Sequence, residues 1–144
     1  MSHTLILVFH PDLSRSRANR AMADAAAQLP GVEVLDMQAL YPCGSVNVDA
    51  EVQRLLQADR VVLQFPVQWY APPALMKQWM DDVFTRMYYL RQADEGAHLE
   101  GTPLLVAATA GNVVEAYREE GGNLFPLPDL LPLLRKSRGE IGRA

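Results

Sequence analysis

Cysteine is almost absent from this chain: Cys43 stands alone among 144 residues. No intrachain disulfide and no cysteine-built metal site is therefore possible, and the thiol reads as an incidental one in a loop. Excess positive charge is missing too, since 13 lysines and arginines face 17 aspartates and glutamates for a net charge of −4. That balance, with both signs interspersed, excludes the basic footprint on which nucleic-acid binding rests. There is no long apolar run; the opening stretch MSHTLILVFHPD is too short to cross a bilayer and has neither a basic leader region nor a small-residue cleavage site. A cytoplasmic protein, not embedded in a membrane, is expected. Internal repeats and low-complexity tracts are absent, as are the Gly-rich dinucleotide fingerprint and the Gly-Lys-Ser/Thr of a P-loop. What remains is an ordinary core-forming composition, 49% apolar and 21% charged, at a length that fits a single domain over residues 1–144.

The apolar residues fall into an alternating pattern. Thr4 to Phe9 is a continuous run of strand length, and Ala18, Ala21, Met22, Ala25, Ala26 and Leu29 follow at helical spacing until Pro30-Gly31 ends the segment. Val32 to Asp36 reads as a second strand and MQALYPCGSVNVD as a loop, after which Asp49 is placed to cap a short helix through Gln57. Arg60 to Phe65 makes a third strand. Pro72-Pro73 opens a helix with Leu75, Met76, Trp79, Met80, Val83 and Phe84 on one stripe. Residues 85–102 read as a long polar connection. Pro103 to Thr109 is a fourth strand, apolar throughout as when both sheet faces are covered, and Asp129 to Lys136 is a short helix candidate. The pattern predicts an α/β, doubly wound parallel sheet, which binds ligands at the carboxyl ends of its strands.

Those ends carry the unusual residues. The first loop, HPDLSRSRAN, brings Ser14, Ser16, Arg17 and Asn19 to a helix N-terminus, where an anion such as a phosphate is favoured. Taken alone, the loop is better read as serines that cap the helix with Arg17 and Arg20 solvated beside them. The loop after the third strand holds Gln68, Trp69 and Tyr70 just before two prolines. Two rings and an amide suit a flat, amphipathic ligand such as isoalloxazine, which needs an apolar wall and hydrogen-bond donors at its pyrimidine edge. The other reading folds both rings onto the core.

Together the loops resemble the flavodoxin-like NAD(P)H:quinone oxidoreductase family, which includes the ancillary flavoproteins of glutathione-regulated potassium-efflux systems. The resemblance runs from about Leu5 to about Leu134. It rests on His10-Pro11 followed by Ser16 and Asn19, on Leu40-Tyr41-Pro42, on QFPVQWYAPPALMKQWMDDVF over residues 64–84, and on Gly121 to Asn123 followed by Asp129 to Leu131. It implies that His10, Ser16 and Asn19, with Arg17 beside them, hold a flavin phosphate or ribityl chain. Pro66, Val67, Gln68, Trp69 and Tyr70 would lie along the ring, and Thr109, Ala110, Gly111 and Asn112 would close over its pyrimidine end. Tyr117 would stand toward the nicotinamide or quinone; it is the candidate proton donor, the commoner reading of a loop tyrosine being that it packs on its own helix. FMN or FAD is the implied cofactor, NAD(P)H the co-substrate, a quinone or similar small molecule the acceptor, and a homodimer the implied assembly. Relatives have Thr-Thr-Gly-Gly where this chain has Thr109 to Asn112, a glycine in the stretch that here reads TRMYYLRQ, and a fifth strand that is missing here. An ancillary module docking on a membrane transporter, with redox activity secondary or lost, is the alternative reading. A one-electron carrier of the flavodoxin type fits less well, because the His-Pro loop replaces a Thr/Ser- and Gly-rich phosphate loop.

Overall fold

The computed structural model of the chain describes residues 2–131. Its four strands, β1 (Thr4–Val8), β2 (Val32–Asp36), β3 (Arg60–Pro66) and β4 (Leu104–Thr109), form one parallel sheet in the order β2-β1-β3-β4. Parallel pairing demands crossovers, and helices supply them: α1 (Ala18–Ala26) after β1, α2 (Met37–Leu40) and α3 (Val48–Gln57) after β2, α4 (Ala74–Thr85) after β3. Side chains alternate across the sheet. Leu5, Leu7 and Phe9 point to the face that α3 and α4 cover with Val52, Leu55, Met76, Trp79 and Val83, while Ile6 and Val8 meet Ala23 of α1 on the other. Burial on both faces is why β1 reads as a continuous apolar run and β3 as one broken only by Gln64.

The two faces are unequal. Eighteen buried side chains make the α3/α4 core, against three on the α1 side, among the described residues. The expectation that β4 is covered on both faces is corrected accordingly: Leu104 is buried against the large core, whereas Leu105, on the α1 side, is 61% exposed. One short helix cannot cover four strands. The chain does fold back on the favoured face, where Leu131, just past the short helix α6 (Leu127–Leu130), joins the large core.

Three local readings change with the structure. The stretch after β2 is not all loop, because the Asp36 carboxylate accepts hydrogen bonds from the Gln38 and Ala39 amides and starts α2. The cap of α3 is Asn47 rather than Asp49, since it is the Asn47 Oδ1 that accepts from the Ala50 N–H at 3.1 Å. Residues 86–99 are not a polar connection but two π-helical turns, Arg86–Leu90 and Gln92–Gly96, running into α5 (Ala97–Leu99). They bury Met87, Gly96 and Leu99. Their polar exterior hides this, and Arg86 staples them by bonding both Glu95 and Asp49.

Buried within the large core is a charged group. The Glu51 carboxylate is fully buried and accepts from the Tyr41 hydroxyl at 2.6 Å and the Trp79 indole Nε1–H at 2.9 Å, with Arg54 as its ion partner. A carboxylate taken out of water is tolerated only when it is saturated in this way.

Candidate functional site

The register sets the edge on which the loops meet. Val8 pairs with Asp36 and with Gln64, and Pro66 with Thr109, so β1, β2, β3 and β4 all end at one side of the sheet. Phe9 extends β1 by donating its N–H to the Gln64 carbonyl, which delivers His10 to that edge. The Asp12 N–H donates to His10 Nδ1 at 3.0 Å. A backbone amide can only donate, so Nδ1 is the acceptor and the ring proton of neutral His10 sits on Nε2. Asp12 itself is braced by the Ser14 hydroxyl at 2.5 Å, a bond that holds its carboxyl below the usual range.

Ser16 has extended backbone angles and its Oγ accepts from the Asn19 N–H at 3.1 Å, which makes it the capping residue of α1. The cap leaves the N–H groups of Arg17 and Ala18 ahead of the intrahelical ladder, at the positive end of the helix dipole. Arg17 is exposed beside them. Asn19 turns inward: it is 2% exposed and its Nδ2 donates to Thr109 Oγ1 at 2.9 Å, across 90 residues of sequence. The Gln64 side chain, 3% exposed, donates from Nε2 to the Asn19 carbonyl oxygen at 2.8 Å and faces Asn19 Oδ1 at 3.4 Å.

Beyond Pro66 and Val67, both half-buried, the chain makes a tight hairpin. Gln68 and Ala71 exchange two backbone hydrogen bonds of 2.9 and 3.0 Å, and the two residues between them, Trp69 and Tyr70, have φ of 47° and 62°. Two left-handed residues in sequence mark a type I′ turn, which favours Asn-Gly and disfavours aromatics. Trp69 is 93% exposed, which excludes the reading that folds it onto the core. Tyr70 leans over and donates its hydroxyl to Asn123 Oδ1 at 3.0 Å.

Val67 donates to the Thr109 carbonyl at 2.7 Å, so the fourth loop starts against the third. Ala110 is half-buried, Gly111 has open space where a side chain would stand, and Asn112 accepts from the Val113 N–H. Tyr117 is half-buried at the end of a 3-10 turn, Val114–Tyr117. That turn is locked by Gly121, where a Cβ would fall 2.3 Å from the Glu115 carbonyl oxygen, and by the Asn123 N–H on the Ala116 carbonyl. The structure thus links Ser16, Asn19, Thr109 and Val67 through hydrogen bonds, sets His10 and Pro66 at the same edge, and ties the Gln68 to Tyr70 hairpin to the Tyr117 loop through Asn123. Gln64 and Asn123 are residues that the pattern reading passed over. Gln64 had a signal, as the one polar side chain inside VVLQF; Asn123 stood out only as part of the Gly121 to Asn123 motif, and its contact was not legible because its partner is 53 residues away.

The family description "Flavodoxin-like fold" matches residues 2–142. The chain belongs to this flavodoxin-like family. Among its relatives, the uncharacterized NAD(P)H oxidoreductase YdeQ of Bacillus subtilis is 36% identical over 96% of this chain and 70% of its own length. The potassium-efflux ancillary protein KefG of Cronobacter sakazakii is 37% identical over 88% of this chain and 68% of its own. Of solved structures, general stress protein 14 of Treponema denticola, in complex with FMN, superposes with a TM-score of 0.82 at 32% identity, covering 92% of this chain and 74% of that one. An NADPH-quinone reductase from P. pentosaceus gives 0.73 at 33% identity, over 92% and 73%. The flavodoxin-like assignment agrees with the sheet order and with loops converging at the strands' carboxyl ends.

Proposed function

We propose that this flavodoxin-like protein is a flavin-dependent NAD(P)H:quinone oxidoreductase that holds FMN at the carboxyl edge of its sheet. The observation that carries the reading is the Trp69-Tyr70 turn: two aromatic residues held at positive φ, one of them almost wholly exposed, in a loop where glycine would be free of strain. Backbone strain of this kind costs about 1–3 kcal/mol per residue and persists where a binding surface requires it. The donor set fits the same group. His10 Nε2–H, the Ser16 hydroxyl and the first amides of α1, with Arg17 beside them, suit a phosphate; Pro66, Val67, Trp69 and Tyr70 suit the ring; Gln68 and the Thr109 to Asn112 loop suit its polar edge. Bound flavin supplies two-electron exchange between a nicotinamide and a quinone. The protein's part is orientation, exclusion of water and stabilisation of charge on the ring, with Tyr117 as the candidate proton donor.

The flavodoxin-like unit occupies residues 1–144 and works in the cytoplasm as a homodimer. Tyr89, 84% exposed, and Leu90, 74% exposed, lie on the segment after α4, and a second copy covering α4 and residues 85–100 would bury them. No helix among the described residues is long and apolar enough to cross a membrane. The similarity to KefG favours a second reading, an ancillary module that docks on a transporter and has weak or lost redox activity. Titration with FMN and FAD, followed by addition of NADH or NADPH, separates the two. Quenching of FMN fluorescence and bleaching by a nicotinamide are expected for the reductase. Absence of quenching with either flavin at high micromolar protein overturns it.

A further inference from the structure

The direction of the buried amide chain at the sheet edge is not arbitrary. The Asn19 main-chain carbonyl can only accept, so the end of Gln64 lying 2.8 Å from it must be the NH2 group. The same NH2 group faces the Asn19 side chain at 3.4 Å, so the end of Asn19 turned to Gln64 must be the oxygen. That leaves the Asn19 NH2 on Thr109 Oγ1 at 2.9 Å. Thr109 is therefore an acceptor inside the protein, and among the described residues nothing receives its own hydroxyl proton. Thr109 ends β4 at half-burial, at the mouth of the fourth loop.

We infer that Gln64, a residue buried in the middle of the sheet, is a positioning residue that makes Thr109 a hydrogen-bond donor toward the bound ring, acting through the orientation of Asn19. The chemistry behind it is polarity. With Gln64 in place, Thr109 has one proton to give and only the site to give it to; without it, the Asn19 amide is free to rotate and present its oxygen, and Thr109 would then donate inward. A donor held at the edge of the ring where negative charge accumulates favours the reduced form over the oxidised one. The inference deepens the flavin reading and rests on it.

The test uses the full chain loaded with FMN and reads the midpoint potential. Thr109→Val is expected to lower the preference for reduced over oxidised FMN about tenfold, which for a two-electron couple is about 30 mV toward negative values. Thr109→Ser, which keeps the hydroxyl, should restore the wild-type potential. Gln64→Met, close in volume and unable to donate, should move the potential in the same direction as Thr109→Val and add nothing in the Thr109→Val background. A potential unchanged by Gln64→Met, or a shift that adds fully to that of Thr109→Val, overturns the inference while leaving flavin binding intact. A flavin-free readout stands beside it: exchange of the Asn19 side-chain amide protons, followed by nitrogen-resolved NMR, is expected to quicken about tenfold in Gln64→Met. If it does not, the coupling is absent whether or not FMN binds; failure to bind FMN with the exchange result as expected strikes the flavin reading alone.

Discussion

The two tryptophans of this chain sit ten residues apart in sequence and in opposite physical worlds. Trp79 is fully buried on α4, meets Phe9 edge-on at 5.6 Å between centroids and Phe84 at 5.2 Å, and gives its indole proton to Glu51. Every part of it has a partner. Trp69 has almost none: it stands in solvent at the tip of a left-handed turn. The first is what a large ring does for stability, combining apolar burial with a satisfied polar handle. The second is a ring that folding alone would not have put there. The contrast teaches that residue type says little about role until the surroundings are known, and that the region around Trp69 spends stability which the region around Trp79 supplies.

Breaking the comparison at its stable end has the largest expected effect. Trp79→Ala removes the core ring and leaves Glu51 one donor short, so unfolding free energy by urea titration is expected to fall by about 3–5 kcal/mol. A loss under about 1 kcal/mol would mean that the packing around Phe9 and Phe84 is not what holds α4 to the sheet. At the other end, Trp69→Ala should leave stability within about 0.5 kcal/mol of wild type and weaken FMN binding by about 1–3 kcal/mol, the scale of a lost aromatic wall. The reverse outcome, unfolding with flavin affinity retained, would exchange the roles of the two tryptophans.

Trp69→Gly sharpens the same point. Glycine adopts φ near 47° without a Cβ penalty, so the flavin-free protein is expected to gain about 1 kcal/mol or less in a urea titration, partly offset by chain entropy in the unfolded state. Its FMN affinity should fall with that of Trp69→Ala. Gain in stability joined to loss of binding is the signature of strain kept for a ligand.

The smallest effect concerns acid. Arg86 hydrogen-bonds Glu95 and holds its carboxyl below the usual range. A carboxyl depressed in the folded state stabilises the fold at pH above its ordinary value of 4.5, and that contribution disappears as pH falls toward the lowered one. Arg86→Met should therefore raise the midpoint of acid unfolding slightly and flatten the stability profile below about pH 4.5, with the π-helical turns 86–96 the first to lose amide protection. An unchanged acid midpoint would show that the staple is screened by solvent.

Local patterning determined a good deal by itself. The alternation of apolar runs with helical stripes was enough to place β1 to β4, α1, α3 and α4, because secondary structure with one or two buried faces writes its period into neighbouring residues. Val32 to Asp36 is the second strand in sequence and structure alike. The residues of the candidate site were legible as a set for a similar reason: strands of a parallel sheet all deliver their carboxyl-terminal loops to one edge, so position along the chain predicts position in space. The helical character of residues 86–99 was not legible, since its few buried side chains, Met87 and Leu99, lie too far apart to show a period.

What only the tertiary structure decided is which of those residues do what. Helical spacing already put Trp79 on the apolar stripe of α4, but whether Trp69 folds onto the core or stands free depends on a turn of two positive φ angles, which no periodicity records. The direction of the donors runs through contacts between residues 45 and 90 positions apart, Gln64 with Asn19 and Asn19 with Thr109. A hydrogen bond has a sense, donor to acceptor, and an amide side chain can present either. Its choice is made by the fixed main-chain carbonyl it meets, and that meeting exists only once α1 is laid against β3 and β4.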